Sequence, residues 1–101
     1  MVKRLIWSKH ALQSKKEIFD YWNKTNGNKN YSRKLNEEFD KIIDLILLFP
    51  QLGREVENYD ARCVTKGDSI IFYKLKTVKD ELFIEILHIW DSRRDPQDLK
   101  L

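Results

Sequence analysis

The sequence predicts an α+β domain in which an N-terminal strand and an antiparallel two-helix hairpin pack on an antiparallel sheet that ends in a three-strand meander. Three observations predict this fold. Residues 30–49 carry apolar side chains at helical spacing, residues 61–90 carry short apolar runs between turns, and Thr25-Asn26-Gly27-Asn28 interrupts the helical half. With 101 residues, the chain 1–101 is expected to form one domain.

The first half is predicted to contain one strand and two helices. Residues 2–7 are short, apolar and β-prone, and they end at Ser8, whose hydroxyl suits a helix N-cap. The helix that follows is expected to bury five apolar side chains on one face: Ala11, Leu12, Ile18, Phe19 and Trp22. The second helix begins near Asn30 or Ser32 and ends at Pro50. Its apolar residues follow one another at spacings of 4, 3, 4 and 3: Leu35, Phe39, Ile42, Ile46 and Phe49. The short connection makes the two helices antiparallel.

The second half is predicted to be β-structure. Residues 51–60 read as a loop, and the predicted strands are residues 61–65, 69–77 and 82–90, with turns at residues 66–68 and 78–81. Strands joined by such short turns run antiparallel. In the last two strands, the side chains that point to either face of the sheet are mostly apolar, so each face should be covered. Since one helix pair covers only one face, we expect the other to be open to a partner or to the C-terminal tail.

Composition and charge argue against several classes of protein. Residues 1–50 contain ten basic and six acidic residues, a net +4, and residues 51–101 contain nine and ten, a net −1. This is weak evidence for nucleic-acid binding, which usually requires a dense basic stripe. The single cysteine, Cys63, excludes a disulfide framework, and the two histidines are too far apart to suggest a metal site. The longest apolar run, residues 45–49, is far shorter than the ~20 residues that cross a bilayer. We therefore expect a cytoplasmic protein with no metal, cofactor or membrane contact.

An ordered set of short motifs spans almost the whole chain. In order these are Trp7-Ser8, Phe49-Pro50-Gln51-Leu52-Gly53-Arg54, Arg62, Ile70-Ile71-Phe72-Tyr73, Ile86-Leu87-His88-Ile89-Trp90 and Arg93-Arg94-Asp95-Pro96. In this order and on these elements, the chain resembles the RelE/ParE family of bacterial toxins, the toxin halves of type II toxin–antitoxin modules. The resemblance implies a toxin that inhibits bacterial growth and is neutralised by a cognate antitoxin.

The family has two branches, and the resemblance implies a different target for each. RelE-like members are ribosome-dependent endoribonucleases that cut mRNA. ParE-like members share the fold, lack that catalytic set and are associated with inhibition of DNA gyrase. RelE-like nucleases usually place lysines in the loop before the second strand of the chain, here residues 54–60, and an arginine three residues before the strand tyrosine, here Tyr73. In this chain, residues 54–60 hold three acids and no lysine, and the arginine position is Ile70.

RelE-like nucleases also often carry a His or Tyr near the end of the last strand or in the tail. The position two before Arg93 is Asp91, and no Tyr or His follows Trp90. These departures favour a ParE-like toxin that acts by binding. A ribosome-dependent mRNA endoribonuclease remains the alternative, and a non-toxic family member that binds only an antitoxin-like partner is the second.

Each of these functional interpretations predicts a set of candidate site residues. If the protein is a nuclease, the candidate catalytic residues are Arg62, Tyr73, Arg93 and Arg94, because cations stabilise phosphorane charge and a hydroxyl can supply a proton. The candidate contacts to the target are Trp90, Arg93 and Arg94. Antitoxins of such modules are commonly acidic, so the antitoxin-binding candidates are basic helix residues: Lys15, Lys16, Arg33, Lys34 and Lys41.

Each candidate also has a structural interpretation. For Arg62 this is an ion pair with Glu55 or Glu57, and for Arg93 and Arg94 it is a salt bridge to Asp91, Asp95 or the tail. Tyr73 and Cys63 are expected in the core. His88 shares the parity of apolar neighbours on its strand and is expected to be a buried structural histidine, whereas His10 is expected to be exposed.

Overall fold

The computed structural model describes residues 3–91, in which two helices pack on one face of a five-stranded mixed sheet. The elements are β1 (Lys3–Trp7), α1 (Lys9–Asn26), α2 (Asn30–Leu48), β2 (Arg54–Glu55), β3 (Arg62–Lys66), β4 (Ser69–Val78) and β5 (Glu81–Asp91). The strands lie in the order β1-β5-β4-β3-β2, and β3, β4 and β5 form the predicted antiparallel meander. The predicted α+β architecture is confirmed, with two corrections. The sheet is mixed, because β1 runs parallel to β5, and the predicted loop 51–60 contains the short strand β2.

Helix α1 begins and ends where the sequence predicts. The Ser8 hydroxyl accepts a hydrogen bond from the backbone N–H of Ala11 at 2.9 Å, and Gly27 closes the helix in the left-handed region with φ 69°. The prediction that Leu12 lies on the buried face is wrong. The buried line of α1 is Ala11, Ser14 and Ile18, and Leu12 is turned about 100° away from Ala11, so it remains 52% exposed.

Ser8 and Ser14 form hydrogen bonds with β5 where its pairing with β1 ends. Trp7 pairs with Ile86, and the next backbone N–H, that of Ser8, donates to the Ile86 carbonyl at 3.1 Å. The Ser8 hydroxyl donates to the Leu87 carbonyl at 3.2 Å, and the Ser14 hydroxyl accepts from the Ile89 N–H at 3.2 Å. Because serine is small, α1 can lie close against β5 while the strand's polar groups are satisfied.

Helix α2 supplies the middle of the core. The predicted stripe Leu35, Phe39, Ile42 and Ile46 is buried, against residues of the helix-facing side of the sheet that include Ile71, Tyr73, Ile84 and Ile86. The fifth predicted member, Phe49, is an exception. Its backbone leaves the helix at φ −131° and ψ 80°, because the residue before a proline disfavours helical dihedrals, and its side chain is 59% exposed.

The second face of the sheet is not the open apolar surface that the strand pattern predicts. Cys63, Phe72 and Trp90 form a buried cluster there, and His88 is buried beside them. The exposed ring of His10 stacks on the ring of His88 with centroids 4.6 Å apart. The expected open surface is therefore closed at these residues. The exposed histidine, the buried histidine and the buried cysteine agree with prediction.

Candidate functional site

Tyr73, a candidate catalytic residue, holds the chain segment that follows α2. Its side chain is fully buried, and its hydroxyl donates to the Pro50 carbonyl at 2.8 Å and accepts from the Gly53 N–H at 2.8 Å. Burial raises the pKa of the Tyr73 hydroxyl above its usual value near 10, against the opposing effects of the Gly53 N–H and the Arg62 charge. The hydroxyl is therefore neutral at physiological pH and engaged as both donor and acceptor.

Arg62 completes this arrangement, which we term the clasp: the segment 50–53 together with Arg62 and Tyr73. The guanidinium donates to the Gly53 carbonyl at 2.8 Å and forms an ion pair with Glu55 at 3.5 Å, as the structural interpretation predicted. A methyl group on Gly53 would lie 2.8 Å from the Tyr73 hydroxyl oxygen and 2.9 Å from the Cys63 carbonyl oxygen. Glycine at this position therefore lets the tyrosine reach the segment.

The clasped segment and the end of α2 present apolar side chains to solvent. We term Leu45, Leu48, Phe49 and Leu52 the apolar platform; their exposed fractions are 41%, 65%, 59% and 48%. All of them except Leu45 line a groove of about 850 Å³, which is formed by residues 48–52 together with Leu75, Thr77 and Leu82. No charged residue lines this groove. Sequence reasoning missed the platform because it assigned Phe49 to the buried stripe; the Phe-Pro pair was the signal that could have revealed it.

A second groove, of about 510 Å³, lies between the two helices and contains three of the five basic antitoxin-binding candidates. Lys15, Lys16 and Arg33 line it, whereas Lys34 and Lys41 lie outside it on α2. The ammonium of Lys15 lies 4.8 Å from the centre of the Trp7 ring. Lys16 pairs with Asp20 at 2.9 Å, and this hydrogen bond raises the pKa of Lys16.

A third groove, of about 700 Å³, is formed largely by the segment before β3, the region where RelE-like nucleases place lysines. Its lining includes three acids, Glu55, Glu57 and Asp60, and two cations, Arg62 and Lys74. Both cations are paired, Arg62 with Glu55 and Lys74 with Glu85 at 3.6 Å. The acids outnumber the cations in this lining, an arrangement that disfavours a phosphate backbone.

The remaining candidates do not join these residues. Trp90 is 5% exposed and packs with Cys63 and Phe72, so as placed its side chain offers a target almost no surface. Arg93 and Arg94 lie outside the described residues. Within residues 3–91, no group of three side chains is placed to hold a metal ion, and neither helix is long and apolar enough to span a membrane.

Comparison with known proteins gives two findings. A family model described as "ParE toxin of type II toxin-antitoxin system, parDE" matches residues 5–96. The fold is similar to that of the YoeB/ParE toxin from Agrobacterium tumefaciens, with a TM-score of 0.58 at 12% identity over 87% of this chain and 97% of that chain. A search of curated proteins gives no match.

Proposed function

Because the chain belongs to the ParE toxin family of type II toxin–antitoxin systems, we propose that it inhibits bacterial growth by binding DNA gyrase and that a cognate antitoxin neutralises it. The observation that carries the choice of binding over catalysis is the clasp. The Tyr73 hydroxyl is fully buried with both hydrogen bonds made, and the Arg62 guanidinium bonds to the Gly53 carbonyl and to Glu55. Two of the four candidate catalytic residues thus have structural partners.

The charges near the clasp support the same choice. An endoribonuclease must hold a polyanion and stabilise the extra negative charge of the transition state, which takes cations that are free to approach the phosphate. The groove before β3 instead has three acids among its lining residues and two cations that are already paired. We assign target binding to Arg93 and Arg94 on the sequence motif, and we assign Trp90 to packing because it is buried.

The helix pair supports the antitoxin part of the proposal. Lys15, Lys16 and Arg33 border one groove, with the exposed side chain of Leu12 among its apolar residues. A groove with basic borders and an apolar residue suits an acidic segment with apolar anchors. Lys34 and Lys41 lie elsewhere on α2, where four acids accompany them: Glu37, Glu38, Asp40 and Asp44.

Growth assays in a bacterial host and assays on the purified protein test the proposal. Induced expression in a bacterial host should arrest growth, and co-expression of the small reading frame adjacent to the gene should restore it. Purified protein should inhibit supercoiling by gyrase and leave ribosome-bound mRNA uncut. An R93A/R94A double variant should lose gyrase inhibition while it retains the antitoxin, and a K15A/K16A/R33A variant should show the reverse.

The outcomes separate the alternatives. Codon-dependent mRNA cleavage without gyrase inhibition would establish the RelE-like endoribonuclease instead. Growth at the uninduced rate, together with retained antitoxin binding, would establish a non-toxic family member.

A further inference from the structure

Asp91, the last residue of β5, carries a carboxylate in the interior of the protein. It is 1% exposed and lies two residues after Ile89, on the same helix-facing side of the sheet. The indole N–H of Trp22, on α1, donates to the Asp91 Oδ2 at 2.6 Å. Burial of a charged group is costly even when it is hydrogen-bonded, and an apolar pair would fill this site without that cost. Stability alone therefore does not explain this pair.

We propose that the hydrogen bond between Trp22 and Asp91 fixes the end of β5 against α1 and thereby positions Arg93 and Arg94 for the target. This inference rests on the proposed function, which assigns target binding to these two arginines. Arg93 follows Asp91 by two residues, and two residues of chain span at most about 7 Å. The place where the chain leaves the sheet therefore limits the space that both guanidinium groups can reach. Trp22 and Asp91 act as positioning residues, since they affect target binding only through the arginines.

Both partners of this bond are held by their surroundings. The Trp22 ring meets Tyr21 and Tyr31 edge-on, with ring centroids 4.8 Å and 5.0 Å away. Because Tyr31 belongs to α2, the indole contacts side chains of both helices. Asp91 pairs with Ser69 of β4, and that serine is also buried. A bond between two fixed groups transmits the position of the helix pair to the strand end, which reduces the entropy that the arginines lose when the target binds.

Ser14 and Ile89 provide a matched comparison, because they join the same two elements close to the strand end. The Ser14 hydroxyl accepts from the Ile89 N–H at 3.2 Å, and both residues are buried. S14A removes that bond and should lower the melting temperature, but it leaves the bond between Trp22 and Asp91 in place. A loss of target binding that accompanies loss of the Trp22 bond, and not S14A, therefore belongs to the strand end rather than to the packing of α1 in general.

The first experiment compares inhibition of gyrase supercoiling with antitoxin binding, at a temperature well below the melting temperature of every variant. W22F keeps an aromatic ring and removes the indole N–H, whereas D91A removes the acceptor. Each should raise the concentration for half-inhibition roughly tenfold or more, because the arginines are no longer held in place. Antitoxin affinity should stay within about twofold of the parent. The double variant W22F/D91A should lose no more than either single variant, since both remove the same bond.

Two control variants separate positioning from charge and from stability. D91N removes the charge but keeps a side-chain oxygen that accepts from Trp22, so its inhibition should stay within about threefold of the parent. S14A should stay within about twofold. If D91N were as weak as D91A, the charge of Asp91 rather than its bond to Trp22 would matter, and the proposal would be wrong. It would be equally wrong if S14A lost as much inhibition as W22F, or if W22F lowered only the melting temperature.

A distance measurement tests the positioning without gyrase. Spin labels are attached through K24C on α1 and D95C beyond β5, in a C63S chain so that the native cysteine takes no label. Electron–electron double resonance should give a narrow distance distribution in this chain and with S14A added, and a broader one with W22F or D91A added. Equal widths in all four would overturn the inference. A parent protein that does not inhibit gyrase, with distances that respond as expected, would contradict the proposed function and support the positioning.

Discussion

Helix α2 and the segment after it carry two apolar surfaces, of which one is buried and the other is exposed to solvent. The stripe Leu35, Phe39, Ile42 and Ile46 is buried against the sheet, whereas the apolar platform is exposed. The stripe contains leucine, phenylalanine and isoleucine and the platform leucine and phenylalanine, at similar spacing. Leu45 and Leu48 are exposed because they lie on the solvent side of α2, whereas Phe49 leaves the helix before Pro50 and the clasp holds the residues that follow. Hydrophobicity alone therefore does not decide which of these residues are buried; their position on the helix and the local backbone geometry do.

The same substitution at Phe39 and at Phe49 tests this contrast most directly and has the largest expected effect. F39A empties a fully buried site and should lower the free energy of unfolding by about 3–5 kcal/mol. F49A removes a side chain that already contacts water and should change it by less than about 0.5 kcal/mol. Urea denaturation followed by tryptophan fluorescence measures both. Equal losses would show that Phe49 belongs to the core.

Gly53 tests whether the platform depends on the clasp. G53A places a methyl group 2.8 Å from the Tyr73 hydroxyl oxygen, so the tyrosine or the segment must shift. We expect a loss of about 1–3 kcal/mol in the free energy of unfolding. In NMR spectra, the amides of residues 49–54 should shift while those of residues 30–40 stay unchanged. G27A is the control, since a Cβ at Gly27 meets no neighbouring atom and acts only through its positive φ.

Tyr73 tests the same clasp without a steric change and adds a pH signature. Y73F leaves the Gly53 N–H and the Pro50 carbonyl without this partner and should cost about 1–2 kcal/mol of unfolding free energy. Because the folded-state pKa of Tyr73 is raised, the unfolded chain ionises first as the pH increases. The stabilisation is complete below pH ~10 and is lost as the pH rises through the folded-state value. Denaturation at pH 8 to 11 should show a smaller slope for Y73F than for the parent.

Leu48 gives the smallest expected effect and bears on the platform alone. L48Q should keep the free energy of unfolding within about 0.5 kcal/mol, because the side chain is 65% exposed. It should lower the fluorescence of a dye that reports exposed apolar surface, whereas L12Q should lower it less, since Leu12 lies among basic and polar groups in its groove. A melting temperature that falls as far as that of F39A would place Leu48 in the core.

Local signals predicted most of the fold. The Ser8 cap, the Gly27 terminus and the α2 stripe act through neighbours within a turn or two, so residue spacing was sufficient to find them. The parallel pairing of β1 with β5 and the two-residue strand β2 depend on partners far away in sequence, which no local pattern encodes. The role of Ser14 could not be predicted for the same reason, because its hydroxyl accepts a hydrogen bond from the Ile89 N–H, 75 residues later in the chain.

The candidate site was less predictable than the fold. The ion pair between Arg62 and Glu55 was anticipated, but the Tyr73 bonds to Pro50 and Gly53 were not, because they join residues 20 or more positions apart. The open apolar area expected on the second face was overestimated, because the alternation of apolar residues along the strands could not show that Phe72, Trp90 and Cys63 would form a buried cluster there. Arg93 and Arg94 remain sequence-based predictions.

The parallel pairing of β1 with β5 has a consequence for the order of folding. Lys3 pairs with Leu82, so β1 has no strand partner until β5, almost 80 residues later, has been made. Helices α1 and α2 rely on local contacts and can form early, but closure of the sheet requires a loop of almost 80 residues to be ordered, which is slow and entropically costly. During translation the unpaired first strand stays available to other molecules. We therefore expect the complete five-stranded sheet to form only after β5 has left the ribosome, later than the helices.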